Sequence, residues 1–555
     1  MSSTPPRLPA SEKPWLGSYP PGVPAEIDPD SFPSLVAVAE DSFRRYRELP
    51  AFTCMGRTLT YAEVDALSGA FAAFLQQRGL RRGDRVALMM PNVLQYPICL
   101  LGTLRAGGVV VNVNPLYTPR ELRDQLADAA PRVLVVMETS AHVYEQVERE
   151  VAVPEVVVTR FGDMLGWRGP LVDFAVRRLK KLVAPWSLPQ ASDFRAVIAA
   201  GGAPAHVELN GDDLAFLQYT GGTTGVAKGA MLTHRNVVAN LLQVQAWCTP
   251  LQPGCERVVT ALPLYHIFAL VANALLFVRL GAHNLLIPNP RDLRGMVKTL
   301  QRWPFTAMTG VNTLFNALLH TPGFERVDFS GLKVCLGGGM AVHRSVAERW
   351  REVTGKPLIE GYGLTEASPV VCVNRLDVPE YTGSIGLPLP STEIMVTDDH
   401  GRPAPPNTVG ELCVRGPQVM RGYWQRPDET RKVLVDGWLH TGDIATIDER
   451  GYTRIVDRKK DMIVVSGFKV FPNEIEAIVA QLPGVAEVGA VGVPDAEGNE
   501  SVKVVIVKRD PSLTEEQVLA HCREKLTRYK VPKTVEFRAS LPKSNVGKIL
   551  RRELR

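Results

Sequence analysis

The stretch "YTGGTTGVAKGAMLTHRN" (219–236) combines residue types that hold phosphate groups in proteins. Glycines let backbone N–H groups approach an anion closely, and threonine hydroxyls and a lysine add further donors. These residues are Thr220, Gly221, Gly222, Thr223, Thr224, Gly225 and Lys228. Lys228 is followed by Gly229 instead of the Ser or Thr of a Walker loop, and the flanking apolar runs predict two strands. The stretch predicts an anion-binding hairpin loop, with a plain solvated hairpin tip as the alternative.

Four further stretches are rich in charged residues and glycine. They are "EGYGLTEASP" (360–369), "DGWLHTGDIATIDERGYTRIVDRKK" (436–460), "VVSGFKVFPNEIE" (464–476) and "LPKSNVGKILRREL" (541–554). None offers a Ser-His-Asp or Cys-His arrangement of the kind that activates a protein nucleophile.

The elements that must position these stretches are predicted from hydrophobic periodicity. With 555 residues, 45% of them hydrophobic, the chain is too long for one core. From Leu59 to about Val456, helical periods alternate with short β-branched runs, which predicts parallel sheets covered by helices on both faces. We predict an α/β fold with an extended N-terminal arm (1–30), a large domain (31–456), an exposed charged hinge (457–461) and a small α+β domain (462–555). Trp15 and Tyr19 can pack the arm onto the body.

Composition excludes several classes of protein. The eight cysteines show no C-x-x-C spacing, which argues for reduced thiols rather than zinc or disulfides. A net charge of +5 is small for this length and predicts no nucleic-acid partner. The most apolar run, 267–278, is shorter than the ~20 residues of a membrane-spanning helix and predicts a core helix. The N-terminal residues show no basic region followed by an apolar run, so we expect no secretory signal and a cytoplasmic protein.

Taken together, the loop and the four stretches resemble the adenylate-forming superfamily over about Trp15 to the terminus. The run "ALPLYHIFAL" (261–270) and the 436–460 stretch most resemble bacterial long-chain fatty acyl-CoA synthetases. The resemblance implies an AMP-forming ligase that joins a fatty acid to ATP, giving an acyl adenylate and pyrophosphate, and then transfers the acyl group to coenzyme A. It implies ATP, Mg²⁺ and coenzyme A as cofactors or co-substrates.

The resemblance also implies residue roles around the nucleotide. The 220–228 loop would hold the β- and γ-phosphates. Tyr362 would stack on adenine against a backbone wall at Gly338 and Gly339. Thr365 would contact the α-phosphate, and Glu366 would hold Mg²⁺, unless it is an ordinary surface carboxylate. The ribose would lie on Asp443 and Arg458.

Other roles concern the moving domain and the thiol. Lys548 would bridge the reacting carboxylate and α-phosphate, with a basic tail as its alternative. Lys460 would be the hinge, or one more solvated lysine. Ser466, Gly467 and Phe468 would line the pantetheine passage after the small domain rotates. His266 would separate the acyl end from the coenzyme entrance, or would be a satisfied core histidine.

Two alternatives to this function stay open. One is a fatty acyl-AMP ligase or adenylation enzyme that delivers to a carrier protein, and the other is a nucleotide-binding regulator without turnover. The resemblance further implies contact with the cytoplasmic face of the inner membrane, for which the stretch 171–186 is our expected helix, with Leu171, Phe174, Leu179 and Arg177 to Lys181 along it. A surface helix packed on its own domain is the alternative. A homodimer is compatible with all of these expectations.

Overall fold

The computed structural model describes residues 13–220, 227–398, 400–465, 468–494, 500–544 and 547–555. Its first strands are β1 (Pro50–Cys54), β2 (Arg57–Thr60), β3 (Arg85–Met89), β4 (Val109–Val113), β5 (Val133–Met137), β6 (Glu155–Thr159), β7 (Ser192–Asp193), β8 (Leu214–Thr220), β9 (Lys228–Thr233), β10 (Arg257–Thr260), β11 (His283–Leu286), β12 (Ala307–Gly310), β13 (Val334–Gly337), β14 (Ile359–Gly363), β15 (Val370–Val373) and β16 (Leu387–Pro388). The later strands are β17 (Glu393–Thr397), β18 (Gly410–Arg415), β19 (Gly422–Tyr423), β20 (Leu434–Val435), β21 (Trp438–Ile447), β22 (Thr453–Arg458), β23 (Ile463–Val465), β24 (Phe468–Val470), β25 (Val485–Pro494), β26 (Glu500–Lys508) and β27 (Thr534–Phe537).

The helices alternate with these strands along most of the chain. They are α1 (Leu35–Arg45), α2 (Tyr61–Gln77), α3 (Gln95–Arg105), α4 (Pro119–Ala129), α5 (Glu138–Glu145), α6 (Gly169–Phe174), α7 (Phe194–Ala200), α8 (His234–Trp247), α9 (Ile267–Ala269), α10 (Leu276–Arg279), α11 (Leu293–Arg302), α12 (Asn312–Leu319), α13 (Arg344–Thr354), α14 (Pro427–Val433), α15 (Pro472–Val479) and α16 (Glu515–Lys525). Local signals fix several starts, because Thr60, Thr118, Thr233 and Thr514 each form the capping box that the sequence encodes.

The large domain is built on three sheets. One has the strand order β16-β15-β14-β13-β12-β10-β11-β1-β2 and a second has the order β19-β9-β8-β4-β3-β5-β6-β7; both are parallel in the middle and antiparallel at one or both ends. The third, β17-β18-β21-β20 with β22 beside β21, is antiparallel. Parallel strands that are buried on both faces need apolar residues throughout, and β4, "VVVNV", is buried at every position. The predicted α/β fold class is confirmed.

The small domain is an α+β unit with its own core. Its sheet pairs β25 with β26 antiparallel and β26 with β27 parallel, and α15 and α16 cover it. Val504 and Ile506 of β26 and Val518 of α16 are fully buried in this core. The described residues of the small domain therefore have a hydrophobic core of their own.

Three expectations about single segments are confirmed. The loop after β8 does join two antiparallel strands, since β8 pairs with β9 from Leu214 to Thr233. The run 267–278 is buried at every position, and none of the helices in the described ranges is long and apolar enough to cross a membrane. The N-terminal arm, from Lys13 onward, is packed: Trp15 is buried and Tyr19 meets the ring of Trp247 edge-on at 5.2 Å.

Two expectations need correction. The helical segment near 171–186 ends earlier, because α6 and the π turn after it stop at Leu179 and Lys181 takes a left-handed φ of 50°. Trp186, beyond that end, is half-buried against the core of the large domain. The charged run 456–462 is also not exposed throughout, because Asp457 lies in β22 with its side chain fully buried. The exposed turn begins only at Lys459.

Candidate active site

The clearest geometry lies where β21 and β22 run side by side. Asp443 and Arg458 are direct partners in this antiparallel pair, and Arg458 Nε lies 3.4 Å from Asp443 Oδ1. The Tyr362 hydroxyl, at the end of β14, donates to Asp443 Oδ2 at 2.6 Å. Burial, and then the adjacent Asp443 carboxylate, raises the pKa of Tyr362 far above its usual value, so its proton stays in this bond. Three residues predicted to bind adenosine are thus brought together.

Thr365 and Glu366 lie in a short 3-10 turn that follows β14, three and four residues after Tyr362. The backbone of Glu366 is fixed by Met420, whose N–H donates to the Glu366 carbonyl at 2.7 Å. The Tyr423 hydroxyl of β19 donates to Glu366 Oε1 at 2.7 Å. Tyr423 thereby orients the Glu366 carboxylate.

The residues present fit Mg²⁺ bound together with nucleotide. Mg²⁺ usually takes one or two carboxylates and completes its shell with phosphate oxygens and water. Glu366 offers an oriented carboxylate, and no cluster of three or more His, Cys, Asp or Glu suited to a metal occurs within the residues that the structure describes. A single oriented carboxylate suits a metal that arrives with phosphates better than one held by the protein alone.

Lys228 is held by α14. Its ammonium forms an ion pair with Glu429, which also pairs with Lys432, and it lies 5.2 Å from the centre of the Tyr423 ring. These partners place the Lys228 cation on the Tyr423 side of the site. Thr220 Oγ1 reaches the Lys228 carbonyl across the strand pair at 3.4 Å. The predicted loop residues Gly221, Gly222, Thr223, Thr224 and Gly225 lie outside the described residues.

A glycine wall follows β13. A methyl group at Gly338 would lie 3.1 Å from the Phe268 ring and 3.3 Å from the Gly361 carbonyl, so a side chain there would press on both neighbours. Gly339 has a φ of 75°, which favours glycine. The backbone therefore comes close to the strand that carries Tyr362, as expected of a wall beside a flat ring.

His266 stands at the start of the buried helical run. It caps α9 by accepting from the Phe268 N–H at 3.4 Å, and burial lowers its pKa to about 4. The imidazole is therefore neutral near pH 7 and supplies no cation. This geometry is compatible with both expectations, a wall at the acyl end and a satisfied core histidine.

Lys548 lies in a turn of the small domain that packs against the large domain. Its N–H donates to Ser544 Oγ at 3.1 Å, and Gly547 packs so closely on Thr313 of the large domain that an added methyl group would lie 2.6 Å from Thr313 Oγ1. Burial, and then the nearby Arg458, lowers the pKa of Lys548 to about 8, while Asp443 opposes this shift. The Lys548 cation therefore lies within electrostatic range of both Arg458 and Asp443.

The predicted hinge is a tight turn. The N–H groups of Asp461 and Met462 both donate to the Arg458 carbonyl, at 3.0 and 3.1 Å, and Lys460 lies at the exposed tip between them. β23, which follows, packs on the small domain. Ser466 and Gly467 lie outside the described residues. Phe468 is exposed and stacks on Tyr529 at 4.7 Å, so in this arrangement it faces solvent.

Sequence reasoning missed three residues that hold the others in place. They are Tyr423, which orients Glu366; Glu429, which pairs with Lys228; and Arg551, which anchors the segment carrying Lys548. Tyr423 and Glu429 share a local signal, since both lie in "RGYWQRPDET" (421–430), another charged stretch, and Arg551 lies in the 541–554 stretch. The partners of all three residues are distant in sequence.

Sequence patterns of known families agree with this site. The pattern of AMP-binding enzymes matches residues 39–424, and the pattern of their C-terminal domain matches residues 474–548. The chain therefore belongs to the AMP-binding enzyme family, and the resemblance seen in the motifs is confirmed.

The chain is similar to individual relatives in sequence and to solved structures in fold. The chain is 59% identical to the long-chain-fatty-acid–CoA ligase of Escherichia coli O6:H1 and 51% identical to that of Haemophilus influenzae, over 98% of each chain in both cases. ATP-bound MatB from Rhodopseudomonas palustris shares 29% identity, with a TM-score of 0.79 over 94% of this chain and 98% of that one. The anthranilate CoA ligase AuaEII, with anthranoyl-AMP, shares the fold at 24% identity, with a TM-score of 0.84 over 95% of this chain and 98% of that one.

Proposed function

We propose that this protein is an AMP-forming long-chain-fatty-acid–CoA ligase. The observation that carries the proposal is a cluster formed by both domains, with Tyr362, Asp443 and Arg458 from the large domain and Lys548 from the small one. The chain that forms this cluster is 59% identical to a ligase of that name. The names of these relatives agree with the predicted activity, activation of a fatty acid with ATP and transfer to coenzyme A.

In the first half-reaction the problem is repulsion between a fatty carboxylate and the α-phosphate of ATP. Tyr362 and the glycine wall hold the adenine, and Asp443 with Arg458 orients the ribose. Lys548 places its compact charge between the two anions, where it stabilises the developing negative charge. Carboxylate oxygen attacks the α-phosphorus, pyrophosphate leaves, and the acyl adenylate remains. Thr365 contacts the α-phosphate.

Mg²⁺, when bound by Glu366 and the phosphates of ATP, supplies charge neutralisation to the leaving pyrophosphate. Tyr423 keeps the Glu366 carboxylate turned toward that position. Thr220 and Lys228, with the loop between them, hold the β- and γ-phosphates, and Lys228 exchanges Glu429 for phosphate when ATP enters.

In the second half-reaction the small domain turns about Lys460. Lys548 withdraws, and the exposed face that carries Phe468, together with Ser466 and Gly467, meets the large domain and lines the pantetheine passage. The thiol of coenzyme A attacks the acyl carbonyl and AMP leaves. The fatty acyl chain lies along the buried run that starts at His266, since Phe268 of that run already touches the glycine wall.

A coupled assay with ATP, oleate and coenzyme A tests the proposal. We expect AMP release in step with thioester formation, and only pyrophosphate release, limited to one turnover, when the thiol is omitted. Oleoyl-AMP accumulation that coenzyme A does not discharge would instead favour delivery to a carrier protein. Nucleotide binding without pyrophosphate release would favour the regulatory alternative.

We further propose that the surface around α6 contacts an anionic membrane. Five large apolar side chains are exposed within sixteen residues, among eleven exposed large apolar side chains in all the described residues. This apolar patch consists of Trp167, Leu171, Phe174, Leu179 and Leu182. Arg178, Lys180 and Lys181 are exposed beside it. Apolar residues flanked by cations suit the boundary between acyl chains and anionic headgroups.

Arg177 belongs to the fold rather than to this surface. It pairs with Glu138, whose side chain is almost fully buried and whose other cation, Arg160, is 4.0 Å away, so replacing Arg177 would remove the nearer of the two cations that neutralise a buried carboxylate. The test therefore changes Arg178, Lys180 and Lys181 to Glu and keeps Arg177.

The measurement is sedimentation with phosphatidylcholine vesicles, with and without phosphatidylglycerol. At ~1 kcal/mol for each basic residue near an anionic surface, we expect binding to anionic vesicles to fall more than about tenfold. Activity on soluble octanoate should be kept. The matched control reverses Arg294, Lys298 and Arg302, three exposed cations on α11. Equal loss of binding in test and control, or no loss in the test variant, contradicts this surface.

A further inference from the structure

Arg551 lies three residues after Lys548 and contacts four side chains. Its Nη1 lies 2.9 Å from Asp457 Oδ1 and 3.3 Å from Asp461 Oδ2. Its Nε and Nη2 donate to the two oxygens of Glu476, at 3.0 and 2.8 Å, and Nη2 also donates to Asn473 Oδ1. The Arg551 side chain is only 16% exposed.

The partners fall on both sides of the hinge. Asp457 precedes Lys460 and is part of β22, which is paired along its length with β21 of the large domain. Asp461 follows Lys460 within the hinge turn, and Asn473, Glu476 and Arg551 belong to the small domain. The contact between Arg551 and Asp457 therefore crosses the axis about which the small domain turns.

Asp457 makes a second contact across the hinge. Its Oδ2 accepts from the Asn473 N–H at the start of α15 at 2.6 Å, and Asn473 Nδ2 donates to the Val456 carbonyl at 3.1 Å. The Asp457 side chain is fully buried. A buried carboxylate without its cation is costly, so Asp457 favours the one domain arrangement that brings Arg551 to it.

We propose that Arg551 and Asp457 form a charge latch across the hinge, which holds the adenylating arrangement and positions Lys548. This inference rests on the proposed function, and it assigns Arg551 and Asp457 as positioning residues, since neither touches substrate. Turning the small domain about Lys460 breaks the latch, so its strength sets the balance between the two half-reactions.

The test variant is Asp457→Asn, which keeps the size of the side chain and removes the charge on the large-domain side. We expect acyl-adenylate formation to fall roughly tenfold to 100-fold, as small displacements of a catalytic group do. Thioester formation from supplied oleoyl-AMP and coenzyme A should be unchanged or faster. Arg551→Lys should show the same split, because lysine keeps the charge but lacks the planar fork that reaches several carboxylates.

The control is Arg552→Met, since Arg552 is exposed and, among the residues that the structure describes, forms an ion pair only with its neighbour Glu553, at 3.6 Å. It should leave both half-reactions at wild-type rates. A parallel fall of both half-reactions in Asp457→Asn would show a merely structural role and overturn the latch. Unchanged rates in both would overturn it as well.

A readout without catalysis separates this inference from the proposed function. Lys459 and Lys460 are exposed trypsin sites in the hinge turn. In the absence of substrates, we expect trypsin to cut Asp457→Asn at the hinge faster than wild type, while Arg552→Met matches wild type. Equal cleavage of Asp457→Asn and wild type overturns the latch even if the wild-type enzyme proves to be a ligase. Faster cleavage supports it even if the wild-type substrate is different.

Discussion

At the scale of single residues, the proposed role of Lys548 requires a positive charge, and that charge depends on pH. Burial beside Arg458 lowers the pKa of Lys548 to about 8, so the ammonium is present below that pH and is lost above it. In the proposed mechanism only the protonated form stabilises the charge that develops during adenylation.

Adenylation should therefore fall as the pH rises through about 8, while thioester formation from supplied oleoyl-AMP keeps its own pH profile. Lys548→Ala should abolish the first half-reaction and spare the second. Lys548→Arg should retain low activity without the fall near pH 8, because arginine stays charged. Measuring pyrophosphate release from pH 6 to 10 checks this, and a variant that loses both half-reactions together contradicts the role of Lys548.

A second prediction at this scale concerns Glu366. Glu366→Gln keeps the size of the side chain and a hydrogen bond with Tyr423, but it removes the charge that attracts Mg²⁺. We expect the Mg²⁺ concentration at half-maximal rate to rise at least about tenfold and turnover to fall, with unchanged thermal unfolding. A Mg²⁺ titration of wild type and variant decides it; identical curves would move the metal to another ligand.

At the scale of elements, antiparallel pairing explains why the site residues meet. Asp443 and Arg458 are fifteen positions apart in sequence but are direct partners across β21 and β22. In the proposed mechanism, the turn that follows β22 is the element that changes shape. Its hydrogen bonds to the Arg458 carbonyl leave Lys460 exposed at the tip, where backbone torsions can alter without disturbing a core.

Lys460→Pro should slow thioester formation more than adenylation. Proline fixes its own φ and restricts Lys459 before it, so the turn cannot reach a second shape. Lys460→Ala is the matched control, because it removes the charge and leaves the torsions free. Single-turnover rates of both half-reactions are the measurement. Equal effects of proline and alanine would mean that the charge of Lys460, and not its torsion, matters.

At the scale of the whole molecule, the small domain carries a separate hydrophobic core. Ile506 lies in that core, whereas Trp350 is buried among Phe315, Phe324 and Phe329 of the large domain. Because the two cores share no residue, we expect them to respond separately to a cavity.

Ile506→Ala should cost about 2 to 5 kcal/mol and lower only the transition of the small domain. On heating, adenylation should disappear while ATP still binds to the large domain. Trp350→Ala, at about 3 to 5 kcal/mol, should lower the other transition and ATP binding with it. Calorimetry with parallel nucleotide-binding measurements tests both, and a single transition shifted equally by both variants would show that the domains unfold as one unit.

The sequence alone determined those features that depend on neighbours along the chain. Alternating apolar runs predicted the α/β fold, and the apolar runs on both sides of the glycine-rich loop predicted the hairpin after β8. The capping boxes that begin α2, α4, α8 and α16 are equally local, because such hydrogen bonds are encoded within a few residues. Motif order was enough to suggest the family.

Tertiary structure alone decided what depends on distant partners. In the sequence, Asp457 belongs to a charged run that is predicted to be exposed, yet its side chain is fully buried. Burial is possible because Arg551, ninety-four positions away in sequence, neutralises its charge. Likewise, Lys228 is paired with Glu429 and Glu366 is oriented by Tyr423. Whether a charge is solvated or buried depends on which groups fold against it, and the spacing of residues in one sequence does not contain that information.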